Sequence, residues 1–207
     1  MALDSYLGLI TAVGDFTARS DMTTAKVDYF IDLAENYFNA NLRTHEMETT
    51  NGSLTYSNGA ITNPADFLGW KRLTLVSSGT RYPLYPLTQE QNETVDDGTT
   101  GQPVNYIVRG TQTLLRPTPD SSSYTIDGTY YQKVPALGPS QTTNWILSNY
   151  SDAYLFGALS MTEAFIQNDP RIPLWKQLFA ESIRGVVKTD QRRAAAIGVM
   201  TPEYPVY

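Results

Sequence analysis

The chain has 207 residues, 21 acidic side chains against 15 basic ones, a net charge of −6 and no cysteine. That length suits one substantial domain, or a small domain with an insertion, and a chain of this size needs no staples to fold. The missing cysteines exclude disulfides and thiolate metal sites, and the acidic balance argues against a nucleic-acid binder.

The opening Met-Ala-Leu-Asp has no basic region followed by a long apolar stretch, so no signal peptide is expected. The apolar run Ala153 to Met161 falls short of the roughly 18 residues that span a bilayer, which predicts a soluble chain.

In chain order, Asp4 or Ser5 is set to cap a first helix with Tyr6, Leu7, Ile10, Val13 and Thr17 inward. Gly8 and Gly14 weaken it. A second helix starts at Thr23 or Thr24, with Val27, Phe30, Ile31, Ala34, Tyr37, Phe38 and Leu42 at three-four spacing. Lys26, Asp28, Asp32, Glu35 and Asn39 are expected on its water face. After Arg43 the period changes. Asn51-Gly52 and Asn58-Gly59 both read as tight hairpin turns of a small meander. Further strands are expected at Trp70–Ser77, Val104–Arg109, Thr113–Arg116 and Tyr124–Lys133, the last with Ile126, Gly128 and Tyr130 on one face. The polar segment Thr88 to Pro103 reads as a helical turn followed by a mobile loop.

Pro135, Gly138 and Pro139 mark the return to helix. A helix capped by Ser148 or Ser151 runs to about Asn168, and its small residues Ala153, Gly157, Ser160 and Ala164 share one side. Small residues at that spacing predict close approach of another backbone, either a helix of the same chain or a neighbouring subunit. The last helix begins near Pro173, directs Leu174, Trp175, Leu178, Phe179, Ile183, Val186 and Val187 inward, and ends near Gly198. From Arg171 to Arg193 the net charge is +4, so the remainder of the chain carries −10. The final nine residues hold two prolines and two tyrosines and cannot continue a helix.

The fold expected from this order is α+β: mainly a helical bundle of about four helices, with an inserted antiparallel sheet region between the second and third. The expected division is a helical domain at 1–43 and 141–198, a β-rich insert at 44–140 and an extended C-terminal arm at 199–207.

No catalytic constellation emerges. His45 is the only histidine, which leaves zinc sets and Ser-His-Asp arrangements little to draw on. Asp96-Asp97-Gly98 lacks the alternating oxygen ligands of a calcium loop. No phosphate loop, dinucleotide fingerprint or nucleophile elbow occurs, so no cofactor, metal or catalytic residue is expected. Paired carboxylates for glycoside hydrolysis leave no spacing mark, and Trp70, Tyr130 and Tyr131 offer rings for sugar stacking.

The stretch TYYQKVPALGPSQTTNWILSNYSDAYLFGALSMTEAFIQNDPRIPLWKQLFAESI, Thr129 to Ile183, resembles the head–tail adaptor (connector or tail tubular) proteins of tailed bacteriophages. AENYFNANLRTHEMETT, NPADFLGWKRLTL and LLRPTPD resemble the earlier segments in the same order. The departures are Met161-Thr162 and the tail after Gly198. The resemblance implies a structural, non-enzymatic protein of the virion neck, assembled in the host cytoplasm. It implies a ring, dodecameric like the portal above it, with genomic DNA only as passing cargo. Its partners would be the portal protein, further copies of itself and the next neck or tail (nozzle or tube) protein. Arg184, Lys188, Arg192, Arg193, Tyr204 and Tyr207 are the residues that would meet the portal. A tail-completion or decoration protein without portal contact is the nearest alternative, and a carbohydrate-binding or hydrolytic module the one from another class.

Overall fold

The computed structural model describes residues 3–94, 98–166 and 169–198. The chain divides into two compact units, Met47–Lys133 and the flanking segments Met1–Glu46 with Val134–Tyr207.

Helix α1 (Tyr6–Thr17) starts at Ser5, whose hydroxyl accepts the Gly8 N–H at 3.3 Å. It buries Tyr6, Leu9, Ile10, Val13 and Thr17, while Leu7, expected inward, is 70% exposed. Helix α2 (Thr24–Asn41) buries Val27, Phe30, Ile31, Ala34 and Phe38 as its spacing predicts. Two residues expected on its water face are engaged inside. Glu35 is buried, and Asn39 Oδ1 accepts the Val134 N–H at 2.8 Å.

The unit Met47–Lys133 contains β1 (Glu48–Leu54), β2 (Tyr56–Ser57), β3 (Ala60–Thr62), β4 (Phe67–Ser77) and β5 (Thr80–Pro86). A short helix α3 (Gln89–Thr94) follows, then β6 (Thr100–Gly101), β7 (Asn105–Arg109), β8 (Gln112–Arg116), β9 (Thr118–Pro119) and β10 (Thr125–Gln132). Eight strands form one sheet in the order β1-β10-β4-β5-β7-β8-β3-β2, and β6 pairs with β9 separately. Leu54, Ile61, Leu73, Leu75, Leu84, Tyr106, Leu115 and Ile126 form its core.

Only one of the two Asn-Gly pairs turns the chain. Asn58 and Gly59 have φ of 51° and 74°, the left-handed pair of a tight hairpin between β2 and β3. Asn51-Gly52 instead lies inside β1, where Gly52 and Ser53, between the pairs Asn51–Gly128 and Leu54–Ile126, oppose the single residue Asp127, which is a bulge.

Helix α4 (Trp145–Asn149) is capped by Asn144, whose Oδ1 accepts the Leu147 N–H at 3.0 Å. The chain breaks at Tyr150 and resumes as α5 (Ser151–Met161), shorter than expected, with a 3-10 turn at Thr162–Ala164. α1, α2, α4 and α6 (Ile172–Gly198) all pack on α5, which buries seven of its eleven residues, Ala153–Leu155 and Gly157–Ser160. That surrounding explains its small residues. A Cβ on Gly157 would lie 3.0 Å from Phe179 Cε2 and 3.1 Å from Ala34 Cβ, so the close approach is made within the chain.

A mainly helical bundle with an inserted antiparallel sheet region is therefore not what the chain forms. About 42% of residues are helical and 28% lie in strands, and the eight-stranded sheet carries a core of its own. The sheet is also mixed, because β5 runs parallel to β7.

Candidate docking surface

The first half of α6 is held by Ile172, Trp175 and Phe179, and beyond buried Val186 most of its side chains face water. Leu174 and Val187, expected inward, are 54% and 37% exposed. The helix is anchored at its far end by two ties to the segment after α2. Asp190 Oδ1 accepts the His45 N–H at 2.9 Å, and Arg193 pairs with Glu46.

Arg184, Lys188 and Arg192 are each four residues apart on this helix, roughly 6 Å per step, and all three are exposed. Among the described residues no ion pair or hydrogen bond engages their side chains. The other cations of this unit are occupied. Arg19 pairs with Asp21 at 2.9 Å, Arg171 with Asp169 at 2.7 Å and Lys176 with Glu163. Arg43 donates to the Asn39 and Leu42 carbonyls, and Lys26 lies 4.2 Å from the Phe165 ring centre. Arg171 also donates to the Phe16 carbonyl at 2.7 Å, closing the end of α1, and its bonds hold the Asp169 carboxyl down to about 2.

The structure thus separates the residues grouped by sequence. Arg184, Lys188 and Arg192 form one free row, while Arg193 is committed to Glu46. Tyr204 and Tyr207 lie outside the described residues. Ala153, Gly157 and Ser160 are buried on α5, and Ala164 falls in the turn after it.

A polar cluster that sequence reasoning missed sits deeper. Glu35 Oε1 accepts the Leu137 N–H at 2.8 Å and the Tyr154 O–H at 3.1 Å, and Asn144 Nδ2 donates to Tyr154 Oη. Burial pushes the Glu35 carboxyl up to about 7, with Asp32 and Asp28 adding to the rise against the two hydrogen bonds. Burial beside Glu35 raises the Tyr154 phenol as well. The signal was present in the spacing, because Ile31, Glu35 and Phe38 share the apolar side of α2. This cluster fastens the segment Val134–Leu137 to α2.

Two of the three rings named for sugar stacking, Trp70 and Tyr130, are used in packing. Tyr130 is buried, and Trp70 packs against Phe67 and Tyr130 and donates its Nε1–H to Thr113 at 2.8 Å. Among the described residues no group of three His, Cys, Asp or Glu side chains is placed to hold a metal, and no helix is long and apolar enough to cross a membrane.

An unneutralised cationic row projected from an acidic chain suits a protein that docks on another surface, the class of a structural adaptor. The family model of the SU10 adaptor protein matches residues 4–202. The chain belongs to that family and is a phage head–tail adaptor, a structural component of the virion neck. No curated protein matches the chain.

Proposed function

We propose that this adaptor assembles as a ring of twelve copies beneath the portal, through which DNA passes and onto which the next neck or tail protein docks. The observation that carries the portal contact is the row Arg184, Lys188 and Arg192, exposed and unpaired on a chain of net charge −6. Such a row fits an acidic surface on the portal and would speed encounter with it. The arm from residue 199, with Tyr204 and Tyr207, supplies apolar anchors for the same contact. The body outside the basic segment is acidic, which suits a channel wall that does not hold sliding DNA.

Reversing the row tests this. Arg184→Glu, Lys188→Glu and Arg192→Glu together should weaken binding to the purified portal by at least about a hundredfold, because three favourable pairs become like-charge contacts. The denaturation midpoint should move little, since exposed substitutions usually change stability within about 0.5 kcal/mol. Portal binding by the triple variant at wild-type affinity would exclude the row as the contact.

A further inference from the structure

The two Asn-Gly pairs share a latent reaction, and the fold treats them differently. The backbone nitrogen of a glycine that follows asparagine can attack the side-chain amide carbon, because glycine has no side chain to block the approach. How near that nitrogen comes to Cγ is set by ψ of the asparagine. For an L residue the nitrogen eclipses Cβ at ψ of about −120° and stands opposite Cβ in the left-handed region, where ψ is about +47°.

Asn58-Gly59 is held in the unreactive arrangement. Asn58 has φ of 51° and Gly59 of 74°, and the pair Ser57–Ala60 closes the turn around them. Gly59 is buried, and its carbonyl accepts the Leu115 N–H at 2.8 Å. A Cβ on it would stand 3.2 Å from both Thr118 and Pro119, so this peptide has little space to rotate.

Asn51-Gly52 is the reverse case. Both residues are exposed, and neither has a positive φ. They lie on the outer strand of the sheet, at its bulge, and a Cβ on Gly52 would meet nothing within 4 Å. Asn51 Oδ1 already accepts the Ser53 N–H at 3.2 Å. That bond brings the side chain forward over the Gly52 peptide, and it supplies a donor to the oxygen that becomes negative on attack.

We propose that Asn51 is a site of spontaneous deamidation and that Asn58 is protected by its turn. The Gly52 nitrogen gives its proton to solvent and bonds to Asn51 Cγ. The Cγ–Nδ2 bond then breaks, and Nδ2 leaves as ammonia with a proton taken from water. Water opens the cyclic imide that results. Attack at Cγ leaves aspartate at this position. Attack at the backbone carbonyl leaves isoaspartate, which puts one more atom into the chain ahead of Leu54, where pairing with Ile126 resumes.

The test incubates the intact full-length protein in mildly alkaline buffer, which favours loss of the glycine N–H proton. Both sites fall in one tryptic peptide, residues 44–71, and fragmentation mass spectrometry reads the ammonia loss and water gain at each. The same rates are measured in the chain unfolded in guanidinium chloride, which removes any difference due to sequence alone. The ratio of the Asn51 rate to the Asn58 rate should be at least about tenfold higher folded than unfolded, equivalent to about 1.4 kcal/mol in barrier. Gly52→Ala, which the open space admits, should slow the Asn51 reaction by about tenfold, because its methyl group crowds the approach to Cγ. Asn51 that stays intact in the folded protein, or equal ratios in the two states, would overturn the proposal.

Discussion

Replacing Gly128 by valine should destabilise the sheet unit by about 3 kcal/mol, at the upper end of overpacking effects. The strand β10 lies between the edge strand β1 and β4, and Gly128 lies opposite Asn51 on one side and Leu73 on the other. A Cβ at this position would overlap the Trp70 ring, and would stand 2.9 Å from Leu54 Cδ1 and 3.1 Å from Leu73 Cδ1. The indole cannot swing aside cheaply. Its Nε1–H is bonded to Thr113, whose own hydroxyl donates to Asn63 at 2.7 Å, and Phe67 and Tyr130 pack against the ring. A lower urea midpoint for Gly128→Val is the expected result, and part of the loss should vanish in a Trp70→Ala background, where the added methyls have space. An unchanged midpoint would mean that Gly128 does not face Trp70 and that the β10–β4 register is different.

The second large effect concerns Glu35. Glu35→Ala leaves the Leu137 N–H and the Tyr154 O–H without their acceptor in a buried site, a loss of about 2–3 kcal/mol. Glu35→Gln keeps an acceptor in the same place and should cost much less. The two differ again in pH dependence. The folded carboxyl lies at about 7, above its ordinary 4.5, so folding favours the protonated form. Its contribution is complete below about pH 4.5 and is lost as pH rises through 7, up to about 3 kcal/mol for such a difference. Thermal midpoints should therefore fall between pH 5 and 8 in the wild type and flatten in Glu35→Gln. Asp169, held down to about 2, is fully ionised across that window and does not contribute to the slope. A wild-type midpoint that rises over the same range would contradict the burial of Glu35.

Much of the helical unit was readable because α2 and α6 repeat their apolar residues at helical spacing. The limits of that reading are local. Periodicity says which residues line up, but not where the buried arc ends. Leu7 and Leu174 therefore fell outside the core, and Glu35 inside it. The two Asn-Gly pairs are identical as dipeptides, and only pairing with β10 makes one of them a bulge. The strand β5 was missed because Pro83 and Pro86 discourage it. The structure shows why both are tolerated. Successive backbone nitrogens of a strand face opposite sides, and those of Tyr85 and Leu87 donate to the β7 side at 3.0 and 2.8 Å. Pro83 would be next in that series, but β7 pairs only with Tyr85 and Pro86. Pro86 turns toward β4 beyond its last pair, Leu73 with Leu84. The cationic row of α6 was legible as a basic segment, while the distinction between free Arg192 and committed Arg193 needed Glu46 to be brought across the fold.

The most direct test of the adaptor account is the mass of the protein in solution, alone and mixed with its portal, by native mass spectrometry or light scattering. The account predicts that the 23.0 kDa chain joins the portal at one copy per portal subunit. A chain that remains apart from the portal at every concentration tested would contradict it.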